Sequence, residues 1–128
     1  MIEEAVKSVR DWHKAAGVYM PDKTLMPMND RRLLVYRLLE EEFCELCEAE
    51  TDNDLVGIAD ALADMMYVII GYALQYGFPI NEVFKEVCRS NDSKVHMGRV
   101  IKRSDGKIQK PVTYSPPNIK GILFPEGE

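Results

Sequence analysis

Between Leu55 and Ile70 the chain carries only two charges, Asp60 and Asp64, in a run otherwise made of Leu, Val, Ile, Ala, Met, Gly and Tyr. A helix built from this run is apolar on nearly every face, so it has to be buried and other helices must cover it. The two aspartates stand i, i+4, on one helical face about one turn apart. An ionised carboxylate taken out of water is costly unless it is paired or bound to metal. No Lys, Arg or His lies between Val56 and Phe84 to pair with either of them. On that ground a cation-holding role is favoured over plain structural burial.

The preceding segment, Arg31 to Glu50, supplies the other half of the argument. Stepping by three and four from Val35 gives Leu38, Glu42, Glu45 and Ala49, so a stripe that begins apolar runs into two glutamates. Glu42 and Glu45 are expected to face inward, with Leu34, Phe43, Leu46 and Cys47 completing the buried surface. Glu41 sits one position round the helix, and Glu40, Glu48 and Glu50 are expected in water. A glutamate-rich helix is usually no more than a solvated face; the unpaired aspartates next door tip the balance. If the helices fold back after Thr51-Asp52-Asn53-Asp54, Glu45 meets position 60 and Glu42 meets position 63, and four carboxylates converge. Two unit charges about 4 Å apart repel by roughly 4 kcal/mol at an effective dielectric near 20. Such a cluster calls for a divalent cation, and all-oxygen ligands suit Mg²⁺ or Mn²⁺.

Around this pair two more helices are expected, giving an all-α, four-helix bundle. Ile2 to Ala16 presents Val6, Val9 and His13 near one face and ends at Gly17, a C-terminal cap residue. His13 and Trp12 are read as packing residues, although an aromatic such as Trp12 near the site could stack a base. Residues 18–29, with Pro21 and Pro27, form a loop, and Asn29 or Asp30 caps the second helix. Gly77 ends the third helix. Pro79 opens the fourth, with Val83, Phe84 and Val87 inward, and that helix runs to about Ser93. Near its end stand Arg89, Asn91, Ser93 and Lys94, donors of the kind that hold phosphate. From Gly98 to Lys110 five basic side chains face Asp105 alone. Ser104-Asp105-Gly106 marks a turn, so a short hairpin is expected there. The tail with Pro111, Pro116 and Pro117 should be extended, docked through Ile119, Ile122, Leu123 and Phe124. One domain is expected over 1–128: a helical core over 1–97, then the basic hairpin and Pro-rich tail over 98–128.

A net charge of −5 argues against a general nucleic-acid binder while leaving a nucleotide held through metal open. Cys44, Cys47 and Cys88 lack the second pair a zinc site needs, and Cys44 and Cys47 are expected as buried thiols in a packed helix. The chain opens without a basic, apolar leader, and Met65 to Leu74 is about half a membrane span. A cytoplasmic protein with no membrane partner is therefore expected. The apolar positions Met65, Met66, Ile69, Ile70 and Tyr72 point to opposing sides, more than three neighbouring helices readily cover, so self-association is expected too.

Several of these residues together resemble a known family. Glu41-Glu42-Phe43-Cys44-Glu45 is similar to the Glu-Glu-x-x-Glu signature of the MazG-like all-α nucleoside triphosphate pyrophosphohydrolases, and Ala61 to Val68 follows at the expected distance. The likeness continues through Arg89-Ser90-Asn91-Asp92-Ser93-Lys94, Asp105-Gly106-Lys107 and Lys110-Pro111, closest to the branch with dimeric dUTPase-like and phosphoribosyl-ATP pyrophosphohydrolase-like members. It implies cleavage of a nucleoside triphosphate between the α and β phosphates. It implies Mg²⁺ (or Mn²⁺) on Glu42, Glu45 and Asp64, with Glu41 handling the attacking water. It also implies phosphate contacts from Asn91, Lys94, Lys107 and Lys110, in a homodimer or homotetramer.

One departure stands out. The family's second motif is Glu-x-x-Asp, and the residue three before Asp64 is Ala61. Asp60 is the obvious substitute as a metal ligand, with a shorter reach. The same gap supports a rival reading, a binding module that holds nucleotide and metal without efficient turnover. A ferritin-like di-iron bundle fits poorly, because His13 and His96 do not make Glu-x-x-His pairs. A purely structural helical oligomer would leave the protein with no thermal response to Mg²⁺.

Overall fold

The computed structural model describes residues 2–126, and the chain is all-α as expected. Five helices occur among the described residues: α1 (Glu3–Ala15), α2 (Asn29–Thr51), α3 (Leu55–Gln75), α4 (Ile80–Asp92) and the short α5 (Ile119–Leu123). Contacts group the chain into two units, Ile2–Ile80 and the residues from Asn81 onward.

In the first unit α3 packs against both α2 and α1. Local signals set the helix ends where the sequence placed them. Gly17 and Gly77 adopt φ of +75° and +70°, just past the ends of α1 and α3, a conformation that costs a side-chain-bearing residue far more than glycine. Asp54 caps α3, its carboxylate accepting from the Gly57 N–H at 3.0 Å. The expected cap of α2 differs. Met28 occupies the cap position without a side-chain bond, and Asp30 instead accepts from the Arg31 N–H at 2.8 Å inside the first turn. The α1–α3 core consists of Val6, Val9, Ile70 and Leu74, with Ile2, Met20 and Ile80 packed on it. The loop after α1 is tied to the end of α3, where the Leu25 N–H donates to Tyr76 O at 3.0 Å and Thr24 Oγ1 to Gly77 O at 3.3 Å.

Burial is the main correction. Leu34, Phe43, Cys44 and Cys47, expected inside, are exposed on α2. Along α3, Leu55, Val56, Leu62, Met66 and Ile69 are exposed as well. One α2–α3 hairpin and one further helix cover a single side of each partner, and the remaining apolar stripes of these long helices stay open within one chain. At 21 residues α3 is long and apolar enough to cross a bilayer, twice the run read from Met65 to Leu74. Its two aspartates are unfavourable in hydrocarbon by about 2.5–3.5 kcal/mol each near the centre of a span.

In the second unit α4 begins directly after Pro79, with Val83 and Val87 half-buried and Phe84 exposed. The hairpin forms as isolated pairings rather than strands. Lys102 bridges Ile108, the Gln109 N–H donates to Ile101 O at 2.7 Å, and the Arg103 N–H donates to Lys107 O at 2.7 Å around Gly106. Pro111, which has no N–H, follows two residues beyond the last of these bonds. The tail expected to be extended contains α5, capped by Asn118, whose side chain accepts from the Gly121 N–H at 3.0 Å.

Candidate metal centre

The α2–α3 hairpin brings Glu42, Glu45 and Asp64 together. Each offers a carboxylate oxygen, and these atoms all lie within 4.8 Å of one another. The i, i+3 spacing of Glu42 and Glu45 stacks them on one face of α2, and the antiparallel return of α3 sets Asp64 opposite. Glu45, expected to face inward, is exposed, because it lies on the open edge of the hairpin, while Asp64 is half-buried. Glu42 is half-buried, and its Oε2 is enclosed with no hydrogen-bond partner. Burial pushes its carboxyl above the usual carboxylate range, helped by the close approach of Glu45 and then by the charges of Asp64 and Asp60. An enclosed acceptor without a donor is unfavourable by about 1–3 kcal/mol or more. Three converging carboxylates, one of which carries an enclosed, unpartnered oxygen, make a donor set that fits a hard divalent cation.

Asp60 stands outside this group. It is exposed, and it reaches the trio through its charge on Glu42 rather than as a fourth converging ligand. Ala61, at the position of the family's missing glutamate, is buried at 2% exposure against its neighbours. Glu41 is exposed on the adjoining face of α2. Aromatic side chains continue the Asp60–Asp64 face of α3: Tyr67 lies one turn on from Asp64, stacked with His13 (6.3 Å between centroids) and edge-on to Trp12 (6.2 Å). The His13 ring rests on Gly71, and its Nδ1 lies 2.8 Å from Val9 O, so it packs α1 onto α3 as expected.

The remaining residues expected to hold phosphate belong to the second unit. Asn91 donates to Val87 O at 3.1 Å and accepts from Lys94 Nζ at 3.0 Å, so its amide holds the lysine in place. Arg89 and Ser93 are engaged within the unit, by Glu86 and by the tail. Glu86 gives little sign of a role in the sequence, where only its i, i+3 spacing from Arg89 hints at one. Lys110 is exposed and lies over the Tyr114 ring. Lys107 is exposed in the hairpin, its N–H donating to Asp105 Oδ1 at 3.0 Å.

An all-α chain whose central hairpin gathers two glutamates and an aspartate in this way has the make-up of the MazG-like pyrophosphohydrolases. The family model for phosphoribosyl-ATP pyrophosphohydrolase matches residues 16–91, more than half of the chain, and the chain belongs to that family within the MazG-like all-α superfamily. The match supports a pyrophosphohydrolase acting on a nucleotide-like substrate. It takes in the trio and Asn91 and ends before Lys94, Lys107 and Lys110. A comparison with curated proteins gives no match.

Proposed function

We propose that the protein is a Mg²⁺-dependent nucleoside triphosphate pyrophosphohydrolase that cleaves the α–β phosphate bond to give a nucleoside monophosphate and pyrophosphate. The observation that carries this reading is the convergence of Glu42, Glu45 and Asp64, one of which holds an enclosed oxygen without a partner. These three residues hold the cation. A divalent ion bound there neutralises charge on the triphosphate and lowers the pKa of bound water. Glu41, beside the trio on α2, accepts the proton of the attacking water. Asp60 adds negative charge at the edge of the site and would complete the set that holds the cation. Asn91, Lys94, Lys107 and Lys110 serve the phosphates. We place the protein in the cytoplasm as a homodimer or homotetramer, with no nucleic-acid or membrane partner. The exposed apolar stripes of α2 and α3 support the self-association.

A second reading has its own observation. Ala61 is packed, so the fourth carboxylate of the family pattern is absent, and Asp60 is displaced to the surface. On that reading the site binds metal and nucleotide with little turnover. Incubation with a panel of triphosphates in Mg²⁺, Mn²⁺ or EDTA, scoring pyrophosphate against orthophosphate, separates the two. Metal-dependent pyrophosphate that is lost in Glu42→Ala supports the enzyme. Metal-dependent nucleotide binding without release supports the binding module.

A further inference from the structure

The tail is fastened to α4 by a run of hydrogen bonds that centres on two side chains. Glu86 accepts from Arg89 Nε at 2.7 Å and Nη2 at 2.9 Å, and from the backbone N–H of Asn118 at 2.7 Å. Arg89 in turn donates to Pro116 O at 3.2 Å. One turn on, Ser93 Oγ donates to Ser90 O at 2.5 Å and accepts from the Ser115 N–H at 2.8 Å, while Thr113 Oγ1 donates to Ser93 O at 2.9 Å. Residues 113–118 are thus laid along α4 as a strap.

Tyr114 lies inside that strap, and two ammonium groups gather on its ring: Lys94 Nζ at 5.8 Å from the centroid and Lys110 Nζ at 4.9 Å. Among the described residues neither lysine forms an ion pair with a carboxylate. Two like charges drawn to one ring without a counter-charge leave a place for an anion. The ring's π system holds each ammonium at about 0.5–1 kcal/mol where exposed, and a polyphosphate, with several anionic oxygens, offers a charge-assisted contact to each. Without the strap, Tyr114 and Lys110 belong to a separate stretch of chain with nothing to bring the ring to Lys94.

We propose that Glu86 and Ser93 are positioning residues that hold the strap on α4 and so assemble Lys94, Tyr114 and Lys110 into one clamp for a polyphosphate anion. This rests on the pyrophosphohydrolase reading for its ligand class, and the clamp itself can be tested without turnover. The probe is inorganic pyrophosphate, titrated calorimetrically into the full chain without Mg²⁺. Wild type binds it. Lys94→Ala and Lys110→Ala each weaken binding about tenfold, in the range for loss of one charge-assisted contact. Glu86→Gln and Ser93→Ala weaken it to a similar degree without touching the ligand, and hydrogen exchange at 113–118 rises in both. Adding Lys110→Ala to Glu86→Gln costs little more, because the strap has already released that lysine. Mg²⁺ binding to the acidic trio, read by the thermal shift it causes, stays at the wild-type value in every variant and reports that the chain is folded. Absence of pyrophosphate binding in wild type overturns the clamp. So does wild-type affinity in Glu86→Gln and Ser93→Ala, whether exchange shows the strap released or still held without them. Failure of the hydrolase reading shows up elsewhere, as no pyrophosphate from any triphosphate while the clamp still binds.

Discussion

Glu42 concentrates the chemistry of the site in one side chain. Its Oε2 is enclosed without a donor, and three other carboxylates bear on it. Without metal the carboxylate is a liability, which a cation bound by the trio would relieve. Glu42→Gln is therefore expected to raise the melting temperature in EDTA while abolishing the upward shift that Mg²⁺ produces in wild type. Mg²⁺ affinity should fall by at least about 10–100-fold, since losing even an outer-shell partner of a metal commonly does as much. A variant that melts lower than wild type in EDTA and still responds to Mg²⁺ would show that Glu42 is a packing residue. The carboxylates stood out in the sequence because an unpaired acid in an apolar helix is costly to bury; Glu42 and Asp64 are half-buried in line with that reading, whereas Glu45 and Asp60, expected inside, are exposed. Ala61 was legible only as a gap; its side chain is buried, whereas Asp60, one position and about 100° round the helix, is exposed.

Helix ends were readable from Gly17 and Gly77, whose conformations are local properties of a few residues, while the Asp54 cap went unread inside the connection at 51–54. Helix faces were readable only in part. Periodicity says which residues share a stripe, and it does not say which stripes a single chain has enough helices to cover. That is why Leu34, Phe43 and Cys47 came out exposed. In the tail, Asn118 and Gly121 after Pro116-Pro117 carried a capping signal for α5 that the prolines obscured. The α1–α3 contact depends on a small residue at one point, for a Cβ on Gly71 would stand 2.6 Å from the His13 ring. Gly71→Ala is expected to destabilise the fold by about 1–3 kcal/mol, the usual effect of overpacking. Denaturant unfolding measures it, and His13→Ala in the same chain should recover part of the loss. At α4, Arg89 first and then the Asn118 N–H hold the Glu86 carboxyl down from 4.5 to about 2. Its folded pKa is depressed, so its contribution is complete above pH 4.5 and disappears as pH falls from there towards 2. Amide resonances of Ser115 and Asn118 followed across that window should move together in wild type, and the step should be absent in Glu86→Gln.

For the molecule as a whole, the open apolar stripes set the expected state in solution. Light scattering should give a multiple of the 14.6 kDa chain mass, and Met66→Glu with Ile69→Glu should shift the protein towards the monomer. A wild-type monomer at micromolar concentration would show that these stripes stay in water. The tie between the loop after α1 and the end of α3 also orders events in time. Thr24 and Gly77 are 53 positions apart in the chain, whereas α2 and α3 are joined by a turn of a few residues. Closing the short connection loses far less chain entropy than closing the long one. Hairpin contacts should accordingly be made in the folding transition state, and the latch at Thr24, Leu25 and Gly77 only after it. Thr24→Ala would then quicken unfolding and leave the refolding limb of a stopped-flow chevron where it was. The acidic trio would exist, and could take up its ion, before α1 has docked.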